Sequence, residues 1–410
     1  MPTEDFQGLD LHEAERLDRE DPLRLYRGRF HLPRDLSGTP LIYLTGNSLG
    51  LQPRAAAERV AARMREWQSK GVAAWHDADW MDQHQALAFR SAGIVGARPH
   101  EVAVGGSLTA NLHHLMATFF RPSAGRTRVL MEAGPFPSDR YAVASQLAWH
   151  GLDPATHLLT APPEGLAAML EREGSSVALV LAGGINYYTG ELVDMPELAE
   201  LSRRAGCVMG LDLAHAAGNV PLELHDWGVD FAAWCGYKYL NGGPGAPAGL
   251  FVHDRHLGKV RPALTGWWGH DPDTRFDMPD SFEPAPGAEA WLISTPSVLS
   301  LAPLEAALAM FAEVGMEALH GKSRLLTGFL QALLADRLSG RVRILTPARR
   351  GAQLSLSVDG GRETFDRLSA SGVTCDWREP DVIRAAPAPF YNTFTEILAF
   401  VERLEAALPD

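Results

Sequence analysis

Two regimes of apolar spacing divide the chain. From about residue 100, short apolar runs recur at Val102–Val104, Val129–Met131, Val177–Ala182, Val208–Leu211, Phe231–Cys235 and Leu250–Val252, most of them separated by helical or loop stretches. Short continuous runs suit strands buried on both faces. Their alternation with helical segments predicts an α/β fold, a mostly parallel sheet with helices on both faces. After the proline-rich stretch Pro279–Pro286 the pattern changes. Helical spacing covers 297–312 and 316–337, and short strands follow at Val342–Leu345, Gln353–Val358, Val373–Asp376 and Val382–Ala385. A last helix sets Phe394, Ile397, Leu398, Val401 and Leu404 on one face, with Thr393 and Glu396 at capping-box spacing. This second regime reads as a smaller α+β domain.

The first hundred residues are less regular. A charged opening carries one helical patch, Leu9 to Leu17. Leu41–Leu44 reads as a short strand running into the turn-rich Thr45-Gly46-Asn47-Ser48-Leu49-Gly50. Pro53 then opens a helix with Ala57, Val60, Ala61, Met64 and Trp67 on one face.

Length and charge narrow the picture. A chain of 410 residues, 46% apolar, has room for two domains. A net charge of −13 argues against nucleic acid or an anionic membrane as partner. No stretch approaches the roughly 18 apolar residues of a membrane span. The opening residues lack a signal-peptide pattern. Three separated cysteines, Cys207, Cys235 and Cys375, suggest neither a disulfide framework nor a zinc site, so a cytoplasmic protein is expected.

The candidate chemistry gathers where apolar runs end. Asp212 and His215 directly follow one run, and Lys238 follows another, flanked by Tyr237 and Tyr239 and leading into a glycine-rich turn. An Asp at a strand end can pair with a protonated pyridine nitrogen. A partly desolvated Lys can form a Schiff base with an aldehyde. Those are the two anchors that pyridoxal 5'-phosphate requires. Taken singly, Asp212 reads equally as a helix cap and His215 as a satisfied histidine. Gly105-Gly106-Ser107-Leu108-Thr109, between a strand and a helix, suits a phosphate, or is an ordinary N-cap. Phe136 is placed to stack on a flat ring, or to fill the core. Arg384, a charge within an apolar strand, can fork a carboxylate or hold a structural ion pair. Trp267 and Trp268 lie in a glycine-flanked loop that reads as a binding or subunit surface, or as packing. The crowd His76, Asp77, Asp79, Asp82 and His84 fits no established ligand spacing, and no metal is expected.

Several blocks together resemble kynureninases. They are Asn47-Ser48-Leu49-Gly50 with its flanks, Phe136-Pro137-Ser138-Asp139, the run from Asp212 to Asn219, the run from His225 to Phe231, Tyr237-Lys238-Tyr239-Leu240-Asn241, and Gly266-Trp267-Trp268-Gly269-His270. The likeness runs from about residue 10 to the last helix. It implies a homodimeric, fold-type-I pyridoxal-phosphate hydrolase that cleaves L-kynurenine to anthranilate and L-alanine in tryptophan catabolism. It also implies a division into residues 1–55, a segment packing with the small domain, 56–300, the large cofactor domain, and 301–410, the small domain. By position, Lys238 would carry the cofactor, Asp212 would hold its ring nitrogen, and His215 would support the ring, with Phe136 stacked on its face. Leu108, Thr109 and Tyr237 would meet the phosphate, Asp139 would complete the surroundings of the ring, and Tyr237 would also relay protons. Trp267 and Thr295 would come from the partner subunit, so that the site is shared across the dimer. Arg384 would hold the substrate carboxylate, with Trp75, His76 and Trp80 near the aryl group.

Two positions depart from the family's pattern. The human-type enzyme carries Asn where this chain has Thr295, a position tied to the 3-hydroxyl of the substrate ring. A serine of some members is Gly183 here. Thr295 favours unsubstituted kynurenine over 3-hydroxykynurenine. A desulfurase- or aminotransferase-like enzyme would share the Asp–His–Lys set but not the Asn-Ser-Leu-Gly and Phe-Pro-Ser-Asp blocks. A catalytically silent binding protein would not be expected to keep Lys238, Asp212 and Arg384 together.

Overall fold

The computed structural model describes residues 6–409. Strand β1 (Ile42–Tyr43) precedes a seven-stranded sheet made of β2 (Val102–Val104), β3 (Arg128–Glu132), β4 (Leu158–Ala161), β5 (Val177–Gly183), β6 (Val208–Asp212), β7 (Phe231–Trp234) and β8 (Gly249–Val252). Its order is β2-β8-β7-β6-β5-β3-β4. Only β8 runs against its neighbours; the other pairings are parallel. Every predicted run in this region is a strand. The additional strand β4 sits at the edge and is mostly half-buried or exposed, which is why Leu158-Leu159-Thr160-Ala161 does not stand out by hydrophobicity.

Successive residues of β5 show why the runs are continuous. Leu179 and Leu181 enter one core, with Leu115, Phe119, Val143 and Leu147. Val180 and Ala182 enter the core on the opposite face, with Leu198, Leu211, Trp234 and Leu304. Each strand side chain therefore has apolar neighbours whichever way it points. The parallel strands bring their carboxyl ends to one edge of the sheet. Glu132, Gly183 and Asp212 close β3, β5 and β6 there, and Lys238 follows β7 by four residues. Ligands of open α/β sheets bind at this edge.

The second regime forms an antiparallel sheet. Strands β9 (Val342–Ile344), β10 (Leu354–Val358), β12 (Asp376–Arg378) and β13 (Val382–Ala385) lie in the order β12-β13-β10-β9, while β11 (Val373–Thr374) pairs in parallel with β1. The single predicted strand over 373–376 is thus divided at Cys375, because its two halves find partners in different sheets. Helix Leu11–Glu20 packs against the final helix Phe394–Ala407, and Ala14, Ile42 and Leu44 share an apolar cluster with Leu330, Phe394 and Phe400. The capping box of Thr393 and Glu396 is present. Asp18 adds a second cap, accepting from the amides of Phe394 at 2.7 Å and Thr395 at 3.1 Å.

Two expectations change. Helix Arg54–Lys70 buries Ala56 and Arg63, and leaves Met64 and Trp67 exposed at 44% and 58%. Its predicted apolar face is therefore uncovered within one chain. Of the paired tryptophans, Trp267 is exposed but Trp268 is fully buried, with the Arg275 guanidinium 4.4 Å from its ring centroid. Among the described residues no single helix is long and apolar enough to cross a membrane.

Candidate active site

A cavity of about 370 Å³ opens at the carboxyl edge of the large sheet and is lined from both regimes of the chain. Lys238, Asp212, His215, Tyr237, Asp139, Phe136, Leu108, Thr109 and Arg384 all contribute to its wall. Lys238 Nζ donates to His215 Nε2 at 3.1 Å and lies 5.8 Å from the centroid of the Phe136 ring. Phe136 is 41% exposed, so it faces the cavity instead of filling the core. Asp212 is anchored by the Ala214 amide, which donates to its Oδ1 at 2.7 Å.

Burial governs the protonation of this wall. It pushes the His215 imidazole well below its usual range, with the charges of Lys238 and Arg384 adding to the effect, so His215 is neutral and accepts from Lys238. Asp139 is pushed well above the carboxylate range, first by burial and then by the Asp212 carboxylate beside it. Burial likewise raises the Tyr237 phenol, with Cys235 contributing.

The loop that carries Lys238 is held from the N-terminal side. The Gly50 amide donates to the Tyr237 carbonyl at 2.9 Å. A Cβ at Gly50 would lie 2.5 Å from the Lys238 carbonyl and 2.3 Å from Asn241 Oδ1, so only glycine permits this approach. Asn47 and Ser48 thereby reach the cavity wall. Across the cavity, Arg384 is 1% exposed, donates from Nη1 to the Tyr187 carbonyl at 2.7 Å, and pairs with Asp376.

The chemistry of the donor set fits pyridoxal phosphate. Asp139 Oδ1 and His215 Nδ1 are buried without a hydrogen-bond partner among the described residues, and a ring lying between Phe136 and His215 would meet them. Helix Leu108–Phe119 begins at the wall, and its N-cap residue Ser107 makes no side-chain capping bond, leaving its hydroxyl and the first-turn amides for an anion.

Glu132, Tyr187 and Arg378 also line the cavity and escaped the sequence reading. Glu132 is 3% exposed, and both its oxygens accept from the Gly183 amide, at 2.9 and 3.1 Å. A Cβ at Gly183 would sit 2.7 Å from Glu132 Oε1. Where some family members carry serine, this chain has an acid entering from the next strand.

Burial raises the Glu132 carboxyl from 4.5 to about 7. A folded-state pKa above the unfolded one gives stability that is complete below pH 4.5 and lost as pH rises through 7. The shift corresponds to about 3 kcal/mol. Glu132→Gln is accordingly expected to stabilise the cofactor-free protein at pH 8 and to leave it unchanged at pH 4. Urea denaturation at both pH values checks this, and an equal effect at the two would contradict it.

Trp75, His76, Trp80, Trp267 and Thr295 do not line this cavity within one chain. Trp80 is buried and donates to Glu66, with Trp75 edge-on to its ring. His76 and Trp267 meet through Phe276, at 6.0 and 5.4 Å between ring centroids, and Thr295 is exposed. The crowd around His76 disperses, with Asp79 pairing with Arg63 and His84 approaching Glu289. Elsewhere, ligand atoms of Glu101, His225, His253 and Asp254 lie within 4.8 Å of one another. Glu101 accepts there from the His225 ring and the Asp254 amide, both at 2.8 Å.

Fold and site together define a fold-type-I pyridoxal-phosphate enzyme. The architecture is similar to a mutant of C-DES with glycine covalently linked to its pyridoxal-phosphate cofactor (22% identity, TM-score 0.76, covering 89% of this chain and 96% of that one). It is also similar to the cysteine desulfurase CsdA of Escherichia coli (18% identity, TM-score 0.77, 94% and 98% covered). At such identities the likeness concerns the fold. Sequence goes further. Residues 319–404 match the kynureninase C-terminal domain. The chain is 49% identical to a kynureninase of Xanthomonas axonopodis pv. citri over 97% of its length and 98% of that protein's. It is 48% identical to one of Myxococcus xanthus and 46% identical to one of Koribacter versatilis, with 96% of each chain covered in both cases. The chain belongs to the kynureninase family, pyridoxal-phosphate-dependent hydrolases of carbon–carbon bonds in ketonic substrates.

Proposed function

We propose that this hydrolase cleaves L-kynurenine with water to anthranilate and L-alanine in the cavity at Lys238, and that it prefers the unsubstituted ring to 3-hydroxykynurenine. The observation that carries the reading is the convergence of Lys238, Asp212, His215 and Arg384 on one cavity at the carboxyl edge of the sheet. When bound, pyridoxal phosphate supplies an electron sink for charge that develops at the substrate α-carbon.

The chain's residues do the rest. Lys238 would hold the cofactor, and its amine would take the α-proton of the substrate. Asp212 would hold the ring nitrogen and favour its protonated form, His215 would support the ring, and Phe136 would stack on its face. Leu108, Thr109 and Tyr237 would hold its phosphate. Arg384 holds the substrate carboxylate. Tyr237, kept protonated by its burial, relays a proton as water adds to the γ-carbonyl and the Cβ–Cγ bond breaks.

The ring preference rests on Thr295, whose short side chain replaces an amide. Losing one neutral hydrogen bond corresponds to about 1 kcal/mol, or roughly fivefold. L-kynurenine is expected to have the higher kcat/KM by about that factor, and Thr295→Asn to narrow the gap. Steady-state kinetics on both substrates test this; a preference for the hydroxylated ring in the unaltered enzyme would sink it.

The same reading calls for a homodimer. Trp67, Trp267 and Phe276 are exposed at 58%, 42% and 51% in one chain. A second copy covering them would bring Trp267 and Thr295 to the partner's cofactor and the segment of Trp75, His76 and Trp80 to its aryl side. Sedimentation at the mass of one chain would contradict the dimer. In this reading residues 1–55 and 301–410 form the unit that faces the cofactor domain, 56–300.

A further inference from the structure

We propose that Arg378 is a second carboxylate-binding residue of the cavity, joined to Arg384 by their common partner Asp376. The inference rests on the reading that substrate binds with its carboxylate toward Arg384. Strands β12 and β13 are antiparallel, and Asp376 stands directly opposite Arg384. Arg378 lies two residues beyond Asp376, so strand alternation puts all three side chains on the same face of the sheet. Arg378 Nη2 reaches Asp376 Oδ2 at 3.2 Å, and Arg384 Nη2 binds that same oxygen. One carboxylate thus serves two guanidinium groups and leaves one positive charge over.

The donors tell the same story. Arg384 spends Nη1 on the Tyr187 carbonyl, yet the Nε–H groups of both arginines are buried without an acceptor among the described residues. The neighbouring acids are turned elsewhere, with Glu379 accepting from the Trp377 indole and Asp381 from the Ser357 hydroxyl. Both arginines line the cavity that holds Lys238. A guanidinium fork matches a carboxylate in geometry as well as charge. Two such forks, preset by Asp376 and short of one anion, form a receptor for the α-carboxylate of an amino acid.

The test compares Arg378→Met, Arg378→Lys and Arg384→Lys in the cofactor-loaded enzyme. Affinity for L-alanine is read from the cofactor's visible absorbance, with ethylamine as the amine that lacks a carboxylate, and KM and kcat are measured for L-kynurenine. Arg378→Met is expected to weaken L-alanine and raise KM by about 10–100-fold, the range of a charged hydrogen bond. It should leave ethylamine affinity and kcat within a few-fold, and Arg378→Lys should recover part of the loss. Unchanged L-alanine affinity, or an equal loss for ethylamine, would overturn the proposal. The L-alanine arm does not depend on kynurenine being the substrate. Loss of L-alanine affinity in an enzyme that releases no anthranilate would therefore support Arg378 and contradict the proposed reaction. Unchanged affinity in Arg384→Lys beside a loss in Arg378→Met would support Arg378 and remove Arg384 from the carboxylate site.

Discussion

Lys238→Ala is expected to lower anthranilate release from L-kynurenine by at least about 10²–10⁴-fold, the range that one positioned proton-transfer group supplies. The loss should be larger still, because the same amine also holds the cofactor. The geometry makes both roles hard to replace. Lys238 Nζ has a neutral imidazole 3.1 Å away and an aromatic face 5.8 Å away. Burial raises the carboxyls of Asp139 and Asp212, and the Lys238 charge offsets part of that in both, a compensation lost when it is gone. Circular dichroism matching the unaltered protein would place the loss in chemistry and not in folding. A variant that retains a tenth of the activity would remove Lys238 from the centre of the account.

Asp212→Asn is expected to lower kcat by about 10²–10⁴-fold with little change in KM. Stripping one member from a buried charge pair costs about 3–5 kcal/mol, and each 1.36 kcal/mol is tenfold in rate. The effect falls on kcat because the charge on the ring nitrogen matters most where the α-carbon gives up its proton. Asp139 gives the prediction a second arm. Its carboxyl is raised first by burial and then by the Asp212 charge, so neutralising Asp212 removes the second cause and favours Asp139 taking over part of the task. The double variant Asp139→Asn, Asp212→Asn should therefore lose more than Asp212→Asn alone, and a double-mutant cycle measures that coupling. Equal kcat in Asp212→Asn and the unaltered enzyme would contradict the role.

Much of this was legible in sequence, for physical reasons that can be named. Strands buried on both faces write themselves as continuous apolar runs, and in a parallel sheet their ends converge. Asp212 and Lys238, each at or just beyond such an end, therefore had to lie near one another. Arg384 was visible as a charge inside an apolar strand. Glu132 was not. One acid followed by Ala133 and Gly134 reads as a solvated strand end, and only the pairing of β3 with β5 shows it buried against Gly183. Tyr187 escaped because turn residues carry no periodicity, and Arg378 because the three-residue strand β12 is too short to show an alternation. The helix Arg54–Lys70 shows the opposite limit. Spacing marked an apolar face there, but within one chain the structure leaves its Met64 and Trp67 exposed, and periodicity alone does not say what a face packs against.

The central claim is that Lys238 carries the cofactor with which this chain cleaves L-kynurenine. Its most direct test is to reduce the cofactor-loaded protein with borohydride, locate the modified peptide by mass spectrometry, and follow anthranilate fluorescence in an unreduced sample given L-kynurenine. The account predicts the cofactor fixed on Lys238, and anthranilate released only by the unreduced protein. A cofactor fixed on another lysine, or one fixed on Lys238 in a protein that releases no anthranilate, would contradict it.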